Sequence, residues 1–169
     1  MESSFFSYLR LLEIIAFFSG YPLIYLAVVV VAGKNPEPGS FKWSLRKLLP
    51  YAYAFIGTLF VGLQLKYAYS HYSGNGGNYL FLQPYLAAWG LLSVLNWWPT
   101  IAGKRIISFL HSLVFLGILV WDIMGKVGSS DNMPMIHNDM NIYGLSILLN
   151  LSALILTVMF YYVAGKGRK

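Results

Sequence analysis

The chain contains several apolar runs of about 20 residues each, and a run of this length is typical of a helix that crosses a lipid bilayer. Wound into an α-helix, about 20 residues cross the roughly 30 Å hydrocarbon core of a lipid bilayer. Hydrophobic residues make up 57% of the 169 residues and charged residues only 11%, whereas soluble domains carry about 25% charged residues. We therefore predict an all-α integral membrane protein with a single transmembrane helical domain over residues 1–169.

Five apolar runs reach the length that a membrane crossing needs. They cover residues 8–31, 48–67, 79–98, 106–124 and 142–164. A transmembrane β-barrel would instead show short segments in which apolar and polar residues alternate. The connectors between the runs contain glycine, proline and charged residues, which are typical of turns and loops. The pattern thus predicts a bundle of five transmembrane helices.

Lysine and arginine are distributed unevenly over the connectors, and this indicates how the bundle is oriented. The loops that face the cytoplasm carry an excess of these residues in membrane proteins. With the N-terminus outside, the inner side receives nine of the twelve basic residues, namely Lys34, Lys42, Arg46, Lys47, Lys104, Arg105, Lys166, Arg168 and Lys169. We predict a plasma membrane protein, of the bacterial inner membrane, with its N-terminus outside and its C-terminus in the cytoplasm. Because this charge suits anionic lipid, we expect membrane lipids and not nucleic acid as partners.

Three ionisable side chains lie near the outer ends of the predicted spans. An ionisable group in hydrocarbon costs about 2.5 to 3.5 kcal/mol at the bilayer centre and usually faces protein or water. From the helix rise, Glu13 and Asp122 lie roughly 6 to 7 Å below the outer edge of the membrane, and Lys66 lies close to that edge. These side chains can form a polar pocket, open to the outside, that binds a proton, an ion or a small polar ligand.

The same charges also fit a second interpretation, in which they pair at the interface without any ligand. Asp122 and Lys126 are four residues apart on one helix, the spacing at which opposite charges pair. Lys66 can extend its ammonium group to water, and Glu13 can meet Arg10 three residues earlier. Both interpretations remain open at the level of the sequence.

Uncharged polar residues within the spans are further candidates for a binding site. Gln64 and Gln83 fall in the outer half and Asn150 near the midplane; amides of this kind commonly join helices by hydrogen bonds. His111 lies in the inner half, about 16 Å along the fourth helix from Asp122, so the two cannot form a dyad. We expect a neutral His111 bonded to a neighbouring helix, with a proton relay or a haem ligand as the alternative.

Methionines gather around MPMIHNDM, residues 133–140, in the last outer connector. Thioethers and an imidazole are soft donors that can hold Cu(I), and neighbouring carboxylates suit a harder divalent ion. The candidate copper ligands are Met133, Met135, His137 and Met140. The alternative is that the methionines rest on apolar surface, for which their flexible side chains are well suited. Because the chain has no cysteine, thiolate metal sites are excluded.

The sequence contains no nucleophile elbow, no metalloprotease helix and no phosphate-binding loop. We therefore predict no catalytic residues and, copper apart, no cofactor. The function that we expect is that of a non-enzymatic subunit or accessory factor of a larger membrane complex, packed against other transmembrane subunits or against copies of itself. The alternatives are a small oligomeric transporter or ion and proton conductor that uses the outer polar cluster, and copper handling at the outer loop.

Overall fold

The computed structural model of the chain describes residues 11–33, 36–72, 84–127 and 133–166. Within these ranges the chain forms helices and turns and contains no strand. The helices are α1 (Leu11–Ala32), α2 (Phe41–Tyr72), α3 (Pro84–Leu91), α4 (Pro99–Ala102), α5 (Ile106–Lys126) and α6 (Met133–Lys166). The prediction of an all-helical fold is confirmed for this part of the chain.

Four helices of the described chain are long and apolar enough to cross a membrane. They are α1, α2 over Phe41–Tyr69, α5, and α6 over Met133–Ala164. Two of them begin earlier than the sequence predicts, α2 at Phe41 instead of residue 48 and α6 at Met133 instead of residue 142. Lysine and arginine are good helix formers in the added turns of α2, and Pro134 falls in the first turn of α6, where a helix tolerates proline, so each helix extends beyond its most apolar part. The prediction of a connector over residues 133–141 is wrong for this reason.

The third predicted span, residues 79–98, differs from a regular membrane helix. Its residues 79–83 lie outside the described part of the chain. α3 ends at Leu91, and the chain continues as a 3₁₀ helix over Leu92–Trp97. Given the rise of each helix type, residues 84–97 extend about 24 Å. This segment runs antiparallel to α2, since Gly90 lies against Phe60 and Trp97 against Tyr51, but a fifth full crossing is not confirmed.

Local hydrogen bonds explain why this segment tightens into a 3₁₀ helix. Ser93 Oγ donates to the Gly90 carbonyl at 2.6 Å, and Asn96 Nδ2 donates to the Ser93 carbonyl at 2.9 Å. Side chains that bond the backbone three residues earlier compete with the α-helical pattern. Trp98 is extended, as the residue before a proline tends to be, so the helix stops there.

The core of the bundle is aromatic and lies where α1, α2 and α5 meet. Phe18, Tyr21, Tyr53 and Phe115 are buried there. The Phe18 and Phe115 rings stack with their centroids 4.6 Å apart, and those of Tyr21 and Tyr53 are 4.3 Å apart. In lipid, where burial of apolar surface drives little association, such close packing holds helices together. This core fixes the three helices around which the polar contacts are arranged.

Candidate functional site

α1 is interrupted at Ser19 and Gly20, in the interior of the bundle. Pro22 accounts for the interruption, because proline has no N–H and its ring clashes with the carbonyl group four residues earlier. The two residues at the break are buried. A Cβ atom on Gly20 would overlap the backbone of Ser146 and Ile147. α1 therefore touches α6 through its backbone, and only glycine permits that approach.

Two polar side chains of α6 bond the backbone groups that the break releases. The Gly20 N–H donates to Ser146 Oγ at 2.8 Å, and Asn150 Nδ2 donates to the Phe17 carbonyl at 2.9 Å. Ser146 and Asn150 are buried, and an unpaired backbone group away from water is costly in a membrane. Asn150, a candidate from the sequence, thus joins α6 to α1. Sequence reasoning missed Ser146, for which the break signalled by Pro22 is the only hint.

Two buried oxygen atoms at this junction, Ser19 Oγ and Asn150 Oδ1, have no hydrogen-bond partner within the described part of the chain. An unsatisfied buried polar atom costs about 1 to 3 kcal/mol and calls for an explanation in a native structure. Interrupted helices near the midplane form the ligand sites of many secondary transporters. Chemically, these two oxygens suit a water molecule or a small cation.

His111 is held between α2 and α3. The Trp89 carbonyl, 2.9 Å from His111 Nε2, can only accept, so this nitrogen carries the proton. Nδ1 of the neutral ring then accepts from the Tyr53 hydroxyl at 2.6 Å. The Trp89 indole stacks on the imidazole, with the centroids 4.9 Å apart and the planes inclined by 8°. With both ring nitrogens hydrogen-bonded, His111 joins α2, α3 and α5.

Lys126 lies between two carboxylates at the end of α5. Its ammonium group donates to Asp122 on the same helix and to Asp139 Oδ2 on α6, the latter at 2.7 Å. Asp139 is fully buried, so this bridge fixes the start of α6 to the end of α5. The sequence indicates the pairing of Asp122 with Lys126 by their spacing. It does not indicate Asp139, because hydropathy gives no sign that α6 begins at Met133.

The other members of the predicted outer pocket have different surroundings. Glu13 accepts a hydrogen bond from the Tyr67 hydroxyl. The Lys66 side chain is exposed and Gln64 is half-buried. Within the described part of the chain, no ion pair joins Lys66 to Glu13 or to Asp122. Arg10 and Gln83 lie outside the described residues. The structure therefore shows no direct ion pair among Glu13, Lys66 and Asp122 in the described part of the chain, and their joint site stays a prediction.

The candidate copper ligands lie on the first turns of α6. Because residues 133–140 are helical, Met133, His137 and Met140 share one face, and Met135 lies on another. All four side chains are exposed. Among the residues that the structure describes, no group of three or more histidine, aspartate or glutamate side chains is placed to hold a metal ion.

Two grooves open between helices at the end of the bundle where α1 ends and α2 begins. The first has a volume of about 380 Å³ and is lined only by apolar residues of α1, α2 and α6. The second, of about 410 Å³, lies between α2, the 3₁₀ helix and α6. It is lined by Lys47, Leu48, Tyr51, Phe55, Trp97, Thr157, Phe160 and Tyr161; we call it the Lys47 groove. Sequence reasoning missed both grooves, because they arise from the packing of helices that are distant in the sequence. A sequence signal exists only for the Lys47 groove: KWSLRKLLPY, residues 42–51, mixes basic and aromatic residues as a lipid headgroup site does.

Comparison with known proteins assigns the chain to no family. No family model matches it, and neither does any curated protein or solved structure. The function proposed below therefore rests on the contacts inside the bundle and on the surfaces that the bundle exposes.

Proposed function

We propose that this protein is a non-enzymatic subunit or accessory factor of a larger membrane assembly, oriented with its N-terminus outside and its C-terminus in the cytoplasm. The observation that carries this proposal is the uneven burial of its long helices. In the most apolar 18-residue stretch of each helix, the share that is buried inside the bundle is 50% for α1 and for α2, but 22% for α5 and only 17% for α6. In this stretch, α6 thus leaves most of its residues open to lipid or to the helices of another subunit.

The exposed side of α6 carries a row of residues with the spacing of a helix-pairing seam. The row consists of Leu145, Leu148, Ser152, Ile155 and Met159, and all five are exposed. Their spacings of three and four residues alternate, as do the a and d positions of a heptad, which face a partner helix. Ser152, small and polar at the centre, permits close approach and a hydrogen bond between helices in lipid. We call this row the α6 seam.

Gentle purification from the native membrane, applied to wild type and to a variant of the α6 seam, tests this proposal. Wild-type protein is expected to retain a stoichiometric partner subunit or a second copy of itself. Leu148→Trp, which adds bulk at the centre of the seam, is expected to lose that partner, whereas Val120→Trp on the exposed side of α5 is expected to keep it. If wild type purifies without a partner, or if both variants keep the partner equally, the seam proposal is wrong.

A small oligomeric transporter or ion conductor is the second candidate, and the interrupted α1 is the observation in its favour. Ser19 Oγ and Asn150 Oδ1 are buried at a broken helix and have no hydrogen-bond partner among the described residues, a setting in which transporters bind ions. Proteoliposomes that contain only this chain would then carry a flux of protons or sodium ions. Ser19→Ala is expected to reduce that flux, whereas Thr58→Ser, away from the break, is expected to preserve it. Flux no greater than in empty liposomes would remove this candidate.

A further inference from the structure

We propose that the Lys47 groove binds an anionic phospholipid, with an acyl chain in its apolar part and the phosphate group beside Lys47. The groove has a volume of about 410 Å³ and opens at the basic end of the bundle. Its lining combines an ammonium group with aromatic and aliphatic side chains. An amphiphile that carries a negative headgroup on an apolar chain complements both parts.

The acyl chain would lie along α2, in the apolar length of the groove. From Lys47 to Phe55 the helix rises about 12 Å. Leu48 is buried and Phe55 half-buried along this length. The Thr157 hydroxyl donates to the Ala153 carbonyl on its own helix at 2.7 Å, so the polar atom on the α6 wall is already satisfied. An acyl chain can therefore occupy the groove without leaving that hydroxyl unpaired.

The headgroup end of the groove is held in place by aromatic contacts. The Lys47 ammonium lies 4.8 Å from the centroid of the Trp43 ring, within the range of a cation–π interaction. Deeper along the groove, the Trp97 ring lies 6.2 Å from that of Tyr51, and the Trp97 indole N–H donates to Thr58 Oγ1 at 2.9 Å, so these contacts hold the wall of the acyl-chain part in place. Tryptophan and tyrosine favour the headgroup layer of membranes. A lysine ammonium acts there as a point charge that binds phosphate.

The charge around the groove favours an anionic lipid over a zwitterionic one. Lys104 is exposed at the same end of the bundle. Partial burial and the neighbouring guanidinium group of Arg46 lower the pKa of Arg105, so positive charges are crowded here. Basic pockets between transmembrane helices on the cytoplasmic side bind anionic headgroups, and each basic residue contributes about 1 kcal/mol near the surface.

The apolar groove at the same end provides an internal comparison. Its volume of about 380 Å³ is similar, but no charged or polar side chain lines it. It can take an acyl chain of any lipid and has no means of distinguishing headgroups. Of these two grooves, only the Lys47 groove is therefore expected to select anionic lipid.

Native mass spectrometry of the full chain tests this proposal. The protein is reconstituted in nanodiscs of equal phosphatidylglycerol and phosphatidylcholine and released gently, and the retained lipids are counted. Wild type is expected to keep phosphatidylglycerol in preference. Lys47→Gln is expected to keep it about fivefold less well, because it loses the contribution of one basic residue, and Lys47→Arg is expected to restore it.

Two further variants distinguish a specific lipid site in the groove from a general attraction of anionic lipid to a basic surface. Lys42→Gln removes the same charge at the same end of α2 but outside the groove, and it is expected to retain lipid as wild type does. Thr157→Trp fills the groove without changing the charge, and it is expected to lose the bound phosphatidylglycerol while helix content stays constant. Equal retention of the two lipids by wild type, or equal losses in Lys47→Gln and Lys42→Gln, would overturn the proposal.

Discussion

The aromatic core where α1, α2 and α5 meet and the exposed side of α6 differ in how their side chains are packed. At the junction, aromatic rings pack tightly and polar groups such as His111 and Tyr53 bond to one another. On the exposed side of α6, the side chains are mostly apolar and contact little of their own chain, as at Leu148. In lipid, apolar exposure costs nothing by itself. The first region therefore maintains the fold, and the second is the surface that we propose for partners.

The largest effect on stability is expected at Gly20. Because a Cβ atom would overlap the α6 backbone, Gly20→Ala is expected to lower the free energy of unfolding by about 3 kcal/mol, the upper range for overpacking. Unfolding of the purified protein in mixed micelles measures the change. Gly62→Ala is the matched control, because a Cβ atom at Gly62 meets no neighbouring atom. Equal effects of the two substitutions would show that α1 and α6 do not meet at Gly20.

A smaller effect is expected from Tyr53→Phe, which leaves His111 Nδ1 without its donor. The free energy of unfolding is expected to fall by about 1 to 2 kcal/mol, the lower part of the range for an unpaired polar atom, because His111 is half-buried. In a double-mutant cycle with His111→Leu the two losses are expected not to add, because the residues share one hydrogen bond. Tyr69→Phe, at an exposed tyrosine of the same helix, is expected to have no effect.

The smallest effect on stability is expected on the α6 seam. Leu148→Ala is expected to change the free energy of unfolding of the isolated chain by less than about 0.5 kcal/mol, since the side chain is 60% exposed. Leu154→Ala, on the same helix but buried, is expected to cost at least about 2 kcal/mol. Similar losses in both variants would mean that the seam is part of the fold and not a surface for partners.

Much of the helical plan could be predicted from the sequence, because the length of an apolar run is a property of the run alone. α5 begins and ends within two residues of the predicted span. The third span departs from prediction because Ser93 and Asn96 bond their local backbone, an effect that hydropathy does not register. Pro22 signals a break in α1, but the sequence does not indicate that the Gly20 N–H at the break donates to Ser146 on α6.

The candidate site was less predictable, because charges in separate spans do not reveal their partners. The spacing of Asp122 and Lys126 indicates their pairing, but Asp139 becomes a second partner only because α6 begins at Met133. Lys66 is exposed rather than paired with Glu13 or Asp122 in the described part of the chain. The Lys47 groove depends on how α2, the 3₁₀ helix and α6 pack against one another, which no local pattern determines.

Cross-linking along α6 in native membranes tests most directly whether the seam is a surface for partners. The chain has no cysteine, so single substitutions at each exposed position, such as Leu148→Cys and Ile155→Cys, report on one site at a time. Cross-links to a partner helix are expected at the five seam positions and are expected to be weak at Leu151 and Phe160, which are exposed outside the row. Cross-linking that is uniform around α6, or absent from it, would contradict the proposal.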